Sequence, residues 1–132
     1  MSECIYRTRI YYEDTDVNGI VYHANYLKFF ERARTESLND IDVDVQLLAD
    51  EGILFAVVYA NINYKKPARL NDLIDVYATP TTFGRTSVTY SQKVVRHGDE
   101  SHVYCDGEVK IVCINDNMRP IVFPPRIKEL LA

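Results

Sequence analysis

No stretch of this 132-residue chain is apolar for long enough to cross a membrane. The longest unbroken run extends only from Ile53 to Ala60, well under the roughly 20 residues a spanning helix needs. An apolar signal core is also missing, because the opening Met1-Ser-Glu-Cys4 soon meets Arg7 and Arg9. A cytoplasmic location is the expectation. Cysteine is scarce: Cys4, Cys105 and Cys113 are an odd number with no Cys-x-x-Cys pair, which excludes a disulfide framework and a zinc ribbon. Reduced, packed thiols are expected instead, with Cys105 and Cys113 sharing one face of a strand. Basic blocks are lacking too. Fifteen Lys and Arg stand against 19 Asp and Glu, for a net charge of −4. That balance argues against nucleic-acid binding through a broad phosphate footprint, but leaves room for a local cluster that holds a small anion.

What is present reads as one domain over residues 1–132, since no repeat, low-complexity tract or linker divides the chain. Residues 4–12 mix β-branched and aromatic side chains with polar alternates and predict a strand. Asp14 to Gly19 gathers Asp, Thr, Asn and Gly, a turn composition. Residues 25–39 predict the one long helix, with Tyr26, Phe30, Ala33 and Ser37 on one face and Lys28, Arg32 and Thr35 on the other. Small Ala33 and Ser37 would let a sheet approach closely. A short second helix over Val45–Glu51 is expected to stop at Gly52.

After Gly52 the pattern alternates with a period of two. Ala60, Ile62 and Tyr64 are expected to face inward, as are Ile74, Val76 and Ala78. The same holds for Val88, Tyr90 and Val94, and for Val103, Cys105, Val109, Ile111 and Cys113. Asp75, Tyr77 and Tyr104 fall among the outward alternates. Turns are expected at Lys66-Pro67 through Asn71-Asp72, at Phe83-Gly84 and at His97-Gly98-Asp99. One helix followed by about four closely connected strands predicts an α+β domain built on an antiparallel sheet. A single helix covers only part of such a sheet, so a homo-oligomer is expected to bury the rest.

The chemistry concentrates in Tyr11-Tyr-Glu-Asp-Thr-Asp-Val-Asn-Gly-Ile-Val-Tyr-His-Ala-Asn-Tyr26. This run sits where a loop feeds the long helix. Unpaired N–H groups and the positive end of the helix dipole suit such a place to stabilise an oxyanion. A plainer reading makes Asp14, Asp16 and Asn18 turn formers and caps, and His23 a hydrogen-bonded structural imidazole. Calcium is a sharper rival, because Asp14-x-Asp16-x-Asn18-Gly19 matches the first half of an EF-hand loop. Against it, Asn25 holds the position of the closing glutamate, and a strand precedes the loop where a helix is required. Zinc fares no better, since no tight spacing joins His23, His97 and His102.

The run Tyr12-Glu-Asp-Thr-Asp16-x-x-Gly19-Ile-Val-Tyr-His23-Ala-Asn-Tyr26, continuing into Phe30-Glu-Arg-Ala-Arg-Thr-Glu36, resembles the 4-hydroxybenzoyl-CoA thioesterase family of hotdog proteins. It is closest to the Tol–Pal-associated acyl-CoA thioesterase branch. Weaker marks, Tyr64-x-x-Pro67-Ala68 and Asn71-Asp72, extend the resemblance along the chain. It implies an antiparallel sheet wrapped around one long helix, dimers or dimers of dimers, sites between subunits, and hydrolysis of an acyl-CoA thioester. In this reading Asp16 takes the catalytic carboxylate position, and His23 lies where a backbone N–H polarises the carbonyl. Tyr12 matches a tyrosine placed at the site. Gly19, Val21 and Asn25 would line the substrate, with Arg85, Thr86, Ser87 and Lys66 on the CoA side and Lys65 and Arg69 adding charge. Asp14 is left as a turn residue whose replacement by asparagine spares turnover.

No metal and no separate cofactor are implied, coenzyme A being part of the substrate. Asp16 would either deprotonate water or attack the thioester to form a mixed anhydride. Two alternatives stay beside this reading: a hotdog protein acting on an acyl group held by a carrier protein, and a non-catalytic acyl-ligand or calcium-binding module.

Overall fold

The computed structural model describes residues 3–132. β1 (Cys4–Arg9) leads through a 3-10 turn (Tyr12–Asp14) into α1 (Asn25–Asn39) and the short α2 (Val45–Asp50). Four strands follow, β2 (Leu54–Tyr64), β3 (Leu73–Phe83), β4 (Ser87–Arg96) and β5 (Asp99–Ile114), and α3 (Pro125–Leu131) ends the chain. The strands form one antiparallel sheet in the order β1-β3-β4-β5-β2. The first strand stops earlier than its composition predicts, at Arg9. Ile10 N–H makes a last ladder bond to Asp72 O at 2.8 Å, but the return bond is lost because Asp72 N turns to Arg69 O at 3.1 Å, and the chain tightens into the 3-10 turn.

Helix α1 lies across β1, β3 and β4. Its buried stripe is Tyr26, Phe29, Phe30, Ala33, Ser37 and Leu38, while Lys28 and Arg32 face solvent, as the periodicity predicts. Phe29, Phe30 and Ala33 have no exposed surface; truncating a phenylalanine so placed typically costs about 3–5 kcal/mol. A polar clamp reinforces the apolar contact. Gln92, fully buried on β4, donates to Phe30 O at 3.0 Å and accepts from Arg34 Nη1 at 2.9 Å. Ser37 Oγ and Tyr90 OH lie 3.0 Å apart a turn further on.

The outward alternates Asp75, Tyr77 and Tyr104 are buried, whereas Ala60 and Tyr64 of β2, expected inward, are exposed. Between β4 and β5 the register slips, Val94 facing Cys105 and Val95 facing Val103. The extra residue is Tyr104, and this bulge puts it in the core beside Cys105. Its hydroxyl donates to Asp72 Oδ2 at 3.2 Å. Asp75 is covered because Arg7 Nε at 2.8 Å and His97 Nδ1 at 3.1 Å close over it. Burial alone raises a carboxyl pKa, but these two bonds outweigh it and hold Asp75 below its ordinary value. Tyr77 is shielded by Lys93, whose ammonium stands 4.6 Å from the ring centre. The three cysteines are free and buried, with Cys105 and Cys113 on the core face as expected.

Strand β2 pairs only with β5 and forms one edge of the sheet. Val57, Val58 and Tyr59, at its middle, are each more than half exposed. The ladder is tightest at Gly107, where a Cβ would sit 1.9 Å from the Asn61 carbonyl oxygen. Backbone, unlike a flexible side chain, cannot step aside there. Gly107→Ala is expected to force β2 away from β5 and to destabilise the fold by about 1–3 kcal/mol or more. Urea denaturation reads the loss, and an unchanged midpoint would contradict the tight approach.

Candidate active site

The loop between β1 and α1 is held by one buried carboxylate. Asp14, 7% exposed, accepts from Tyr11 N at 2.8 Å and from Asn25 Nδ2 at 2.9 Å. Its own carbonyl accepts from Tyr22 N at 2.9 Å. Asp14 therefore ties the exit of β1 to the first residue of α1. Asn25 faces Asp14, not an open site, and its side chain serves the scaffold. The EF-hand reading fails on the same geometry: a strand and a 3-10 turn enter the loop, and Asp14 is committed to protein donors.

Two residues on, Asp16 is half-buried and heads a tight turn. Its Oδ1 accepts from Asn18 N at 2.8 Å, and its carbonyl accepts from Gly19 N at 3.0 Å. Gly19 closes the turn at φ +75°, a backbone region that favours glycine. Asp16 N donates to Ile20 O at 3.0 Å, which ties the turn's backbone to a pocket wall, while the Asp16 side chain is not part of the lining.

That pocket encloses about 310 Å³ and is lined by Ile20, Val21, His23, Tyr26, Tyr64, Lys65, Lys66 and Pro67. Backbone bonds from three directions build it. Val21 N donates to Ala68 O at 2.9 Å, Ile20 and Arg69 form an antiparallel bridge, and Lys65 N and Lys66 N both reach Tyr104 O. Tyr26 OH accepts from Ala68 N at 3.4 Å, and burial pushes its phenol pKa up to about 12, so it stays protonated. Lys65 pairs with Asp106 at 3.3 Å, whereas Lys66 makes no ion pair among the described residues.

Helix α1 begins at the pocket without a capping side chain: its N-cap is Ala24, whose methyl group offers no acceptor. Among the described residues neither the His23 N–H nor the Ala24 N–H donates to another protein group. Two free amides at the positive end of a 15-residue helix are suited to an oxygen that gains negative charge. The His23 ring is exposed and packs near Tyr22, at 4.7 Å between centres, and edge-on to Tyr64 at 6.4 Å.

The expected site residues thus divide. Val21, His23 and Lys66 share the pocket, and Asp16 and Gly19 stand on the adjoining turn. Tyr12 is 85% exposed on the 3-10 turn and touches no pocket wall. Arg85, Thr86 and Ser87 lie at the far end of the sheet. Arg85 O accepts from Phe123 N, and Phe123 stacks on Phe55 of β2 at 5.4 Å. Phe55 and the pocket residue Tyr64 are opposite ends of that strand, roughly 30 Å apart at 3.3 Å per residue. Ile20, Tyr26, Tyr64 and Pro67 were not expected at the site. In the sequence Tyr26 reads as core stripe and Tyr64 as a strand alternate, and only the fold brings them together. Among the described residues no three His, Cys, Asp or Glu side chains cluster as a metal site requires.

Comparison with known proteins agrees with this architecture. The thioesterase superfamily matches residues 18–102. The acyl-CoA thioester hydrolase YbgC of Escherichia coli O157:H7 is 38% identical over 120 residues, covering 90% of this chain and 88% of that protein. Acyl-CoA thioesterase YbgC of Haemophilus influenzae is 37% identical over 122 residues, covering 91% and 88%. Among solved structures, a 1,4-dihydroxy-2-naphthoyl-CoA thioesterase from Synechocystis superposes with a TM-score of 0.91 at 19% identity, over 98% of this chain and 96% of that one. A probable thioesterase from Bartonella henselae gives 0.86 at 29% identity, over 93% and 100%. The fold is the hotdog fold, a five-stranded antiparallel sheet against one long helix.

The two neighbouring aspartates are expected to separate by assay. Asp14→Asn sets an amide donor against Tyr11 N or Asn25 Nδ2 and is expected to cost about 1–3 kcal/mol of stability. Asp16→Asn, on a half-buried turn, should leave the unfolding midpoint nearly unchanged. Thermal unfolding of both variants measures the difference, and equal midpoints would remove Asp14 from its structural role.

Proposed function

The chain belongs to the thioesterase superfamily, and we propose that it hydrolyses acyl-CoA thioesters to the free acid and coenzyme A at the pocket beneath the start of α1. One observation carries the proposal: a largely apolar pocket meets two free helix-terminal amides, with the Asp16 turn at its edge. The similarity to proteins named acyl-CoA thioesterases over most of the chain supports the same substrate class.

In this mechanism the thioester carbonyl points its oxygen at the N–H groups of His23 and Ala24. Charge that develops on that oxygen meets donors already in place, which lowers the barrier without reorganisation. Asp16 supplies the carboxylate, and Tyr12 stands on the 3-10 turn that leads to it. By one route Asp16 takes a proton from water as the water attacks the carbonyl carbon; the tetrahedral intermediate then expels the CoA thiolate, which is protonated on leaving. By the other, Asp16 attacks, CoA leaves, and water hydrolyses the resulting anhydride. Lys66, free of ion pairing, is placed for a phosphate of the CoA.

The active unit in this reading is a dimer joined along β2, working in the cytoplasm. A long apolar edge strand invites pairing with another copy. A two-fold axis through the middle of β2 exchanges its ends. Arg85 of the partner subunit would then approach the Tyr64 end, where the pocket lies. This accounts for a CoA-side turn that is far from the pocket within one chain.

Asp16→Asn is expected to lower kcat by about a hundredfold or more on an acyl-CoA panel followed by thiol release, while Asp14→Asn loses stability before turnover. A mild loss at Asp16 would overturn its catalytic role. Sedimentation is expected to show a dimer or larger species, and a stable, fully active monomer would refute the shared site.

A further inference from the structure

The His23–Ala24 peptide is gripped from its carbonyl side by a distant residue. Tyr64, the last residue of β2, donates its hydroxyl to His23 O at 2.8 Å. In a regular α-helix that carbonyl would receive the Leu27 N–H, but Leu27 N turns to Ala24 O at 3.2 Å. The phenol occupies the position that the helix leaves open. At the other end of the same peptide is the Ala24 N–H, one of the two free amides. The preceding peptide is held in the same way, since Tyr22 O accepts from Asn25 N at 2.8 Å, and its N–H is the one on His23.

Hydrogen bonding at a carbonyl polarises the peptide and strengthens its N–H as a donor. The Tyr64 ring is itself fixed, lining the pocket and packing 5.8 Å from Tyr26. Burial raises its phenol pKa, so the hydroxyl keeps its proton through neutral pH.

We propose that Tyr64 is a positioning residue for the thioesterase chemistry: its hydroxyl orients and polarises the His23–Ala24 peptide, so that the Ala24 N–H joins the His23 N–H on the oxyanion. The inference rests on the function proposed above. Tyr64→Phe keeps the ring and removes only the bond. Losing a whole oxyanion donor costs 10²–10³ in kcat; weakening one is expected to lower kcat about tenfold, with KM within about twofold of wild type. A ring that served only as pocket wall would leave both kcat and KM near wild type, because the substitution keeps it.

The second readout is the Ala24 amide by NMR. In the wild type, a non-hydrolysable ketone analogue of acyl-CoA, with methylene in place of sulfur, is expected to move the His23 and Ala24 amide protons downfield together. Tyr64→Phe kcat within twofold of wild type overturns the proposal, as does a change confined to KM. If Tyr64→Phe does not fold, the wild-type amide decides: an Ala24 proton unmoved by the analogue overturns the proposal. A wild type that hydrolyses no acyl-CoA overturns both this and the function, whereas an active wild type with an indifferent Tyr64→Phe overturns the Tyr64 role alone.

Discussion

The buried carboxylate of Asp14 sets where α1 begins, and the site depends on that point. Its oxygens accept from Tyr11 N and Asn25 Nδ2, so the end of the first strand and the start of the helix are joined through one side chain. Charge-assisted bonds to a carboxylate are worth about 1.5–3 kcal/mol each, enough to hold an entry that carries no capping side chain. The His23 and Ala24 amides precede the first helical residue and stay free. A serine or aspartate at position 24 would favour the helix by accepting from the Tyr26 or Leu27 N–H and would leave those two amides as they are. Here the helix entry goes without that cap, and Asp14 holds it through Asn25.

The position of α1 on the sheet is fixed as firmly as its start. Phe29, Phe30 and Ala33 pack without exposed surface, and Gln92 ties the helix backbone to β4 through Phe30 O. Arg34 completes the clamp, its guanidinium held on Gln92 in surroundings where burial lowers its pKa. The opposite margin of the sheet is less enclosed. β2 leaves Val57, Val58 and Tyr59 uncovered at its centre, while its last residue reaches back to His23. The strand whose edge is open therefore also reaches the candidate site through its last residue.

Much of the architecture was legible from local pattern. The helix over residues 25–39, the stop at Gly52, the turns at His97-Gly98 and Phe83-Gly84 and the inward residues of β3 to β5 follow from periodicities of 3.6 and 2 and from turn chemistry. The dense run from Tyr11 to Tyr26 marked the candidate site because carboxylates, a histidine and a helix start seldom coincide by packing alone. Tyr104 escaped that reading, because a bulge depends on how two strands slip against each other and a single strand's alternation cannot record it. Asp75 and Tyr77 escaped it for a related reason: what covers them comes from β1, β4 and the turn after β4.

The sequence by itself determined the element types, the buried stripe of α1 and the turn that precedes it, since each depends on residues within a few positions of one another. Tertiary structure alone decided which of two neighbouring aspartates is buried, and that Asn25 serves Asp14. It also decided that Tyr64, 41 positions from His23, closes on its carbonyl. Hydrogen bonds are short-ranged and directional, so such partnerships exist only once β2, β5 and the loop after β2 have brought distant backbone to within about 3 Å.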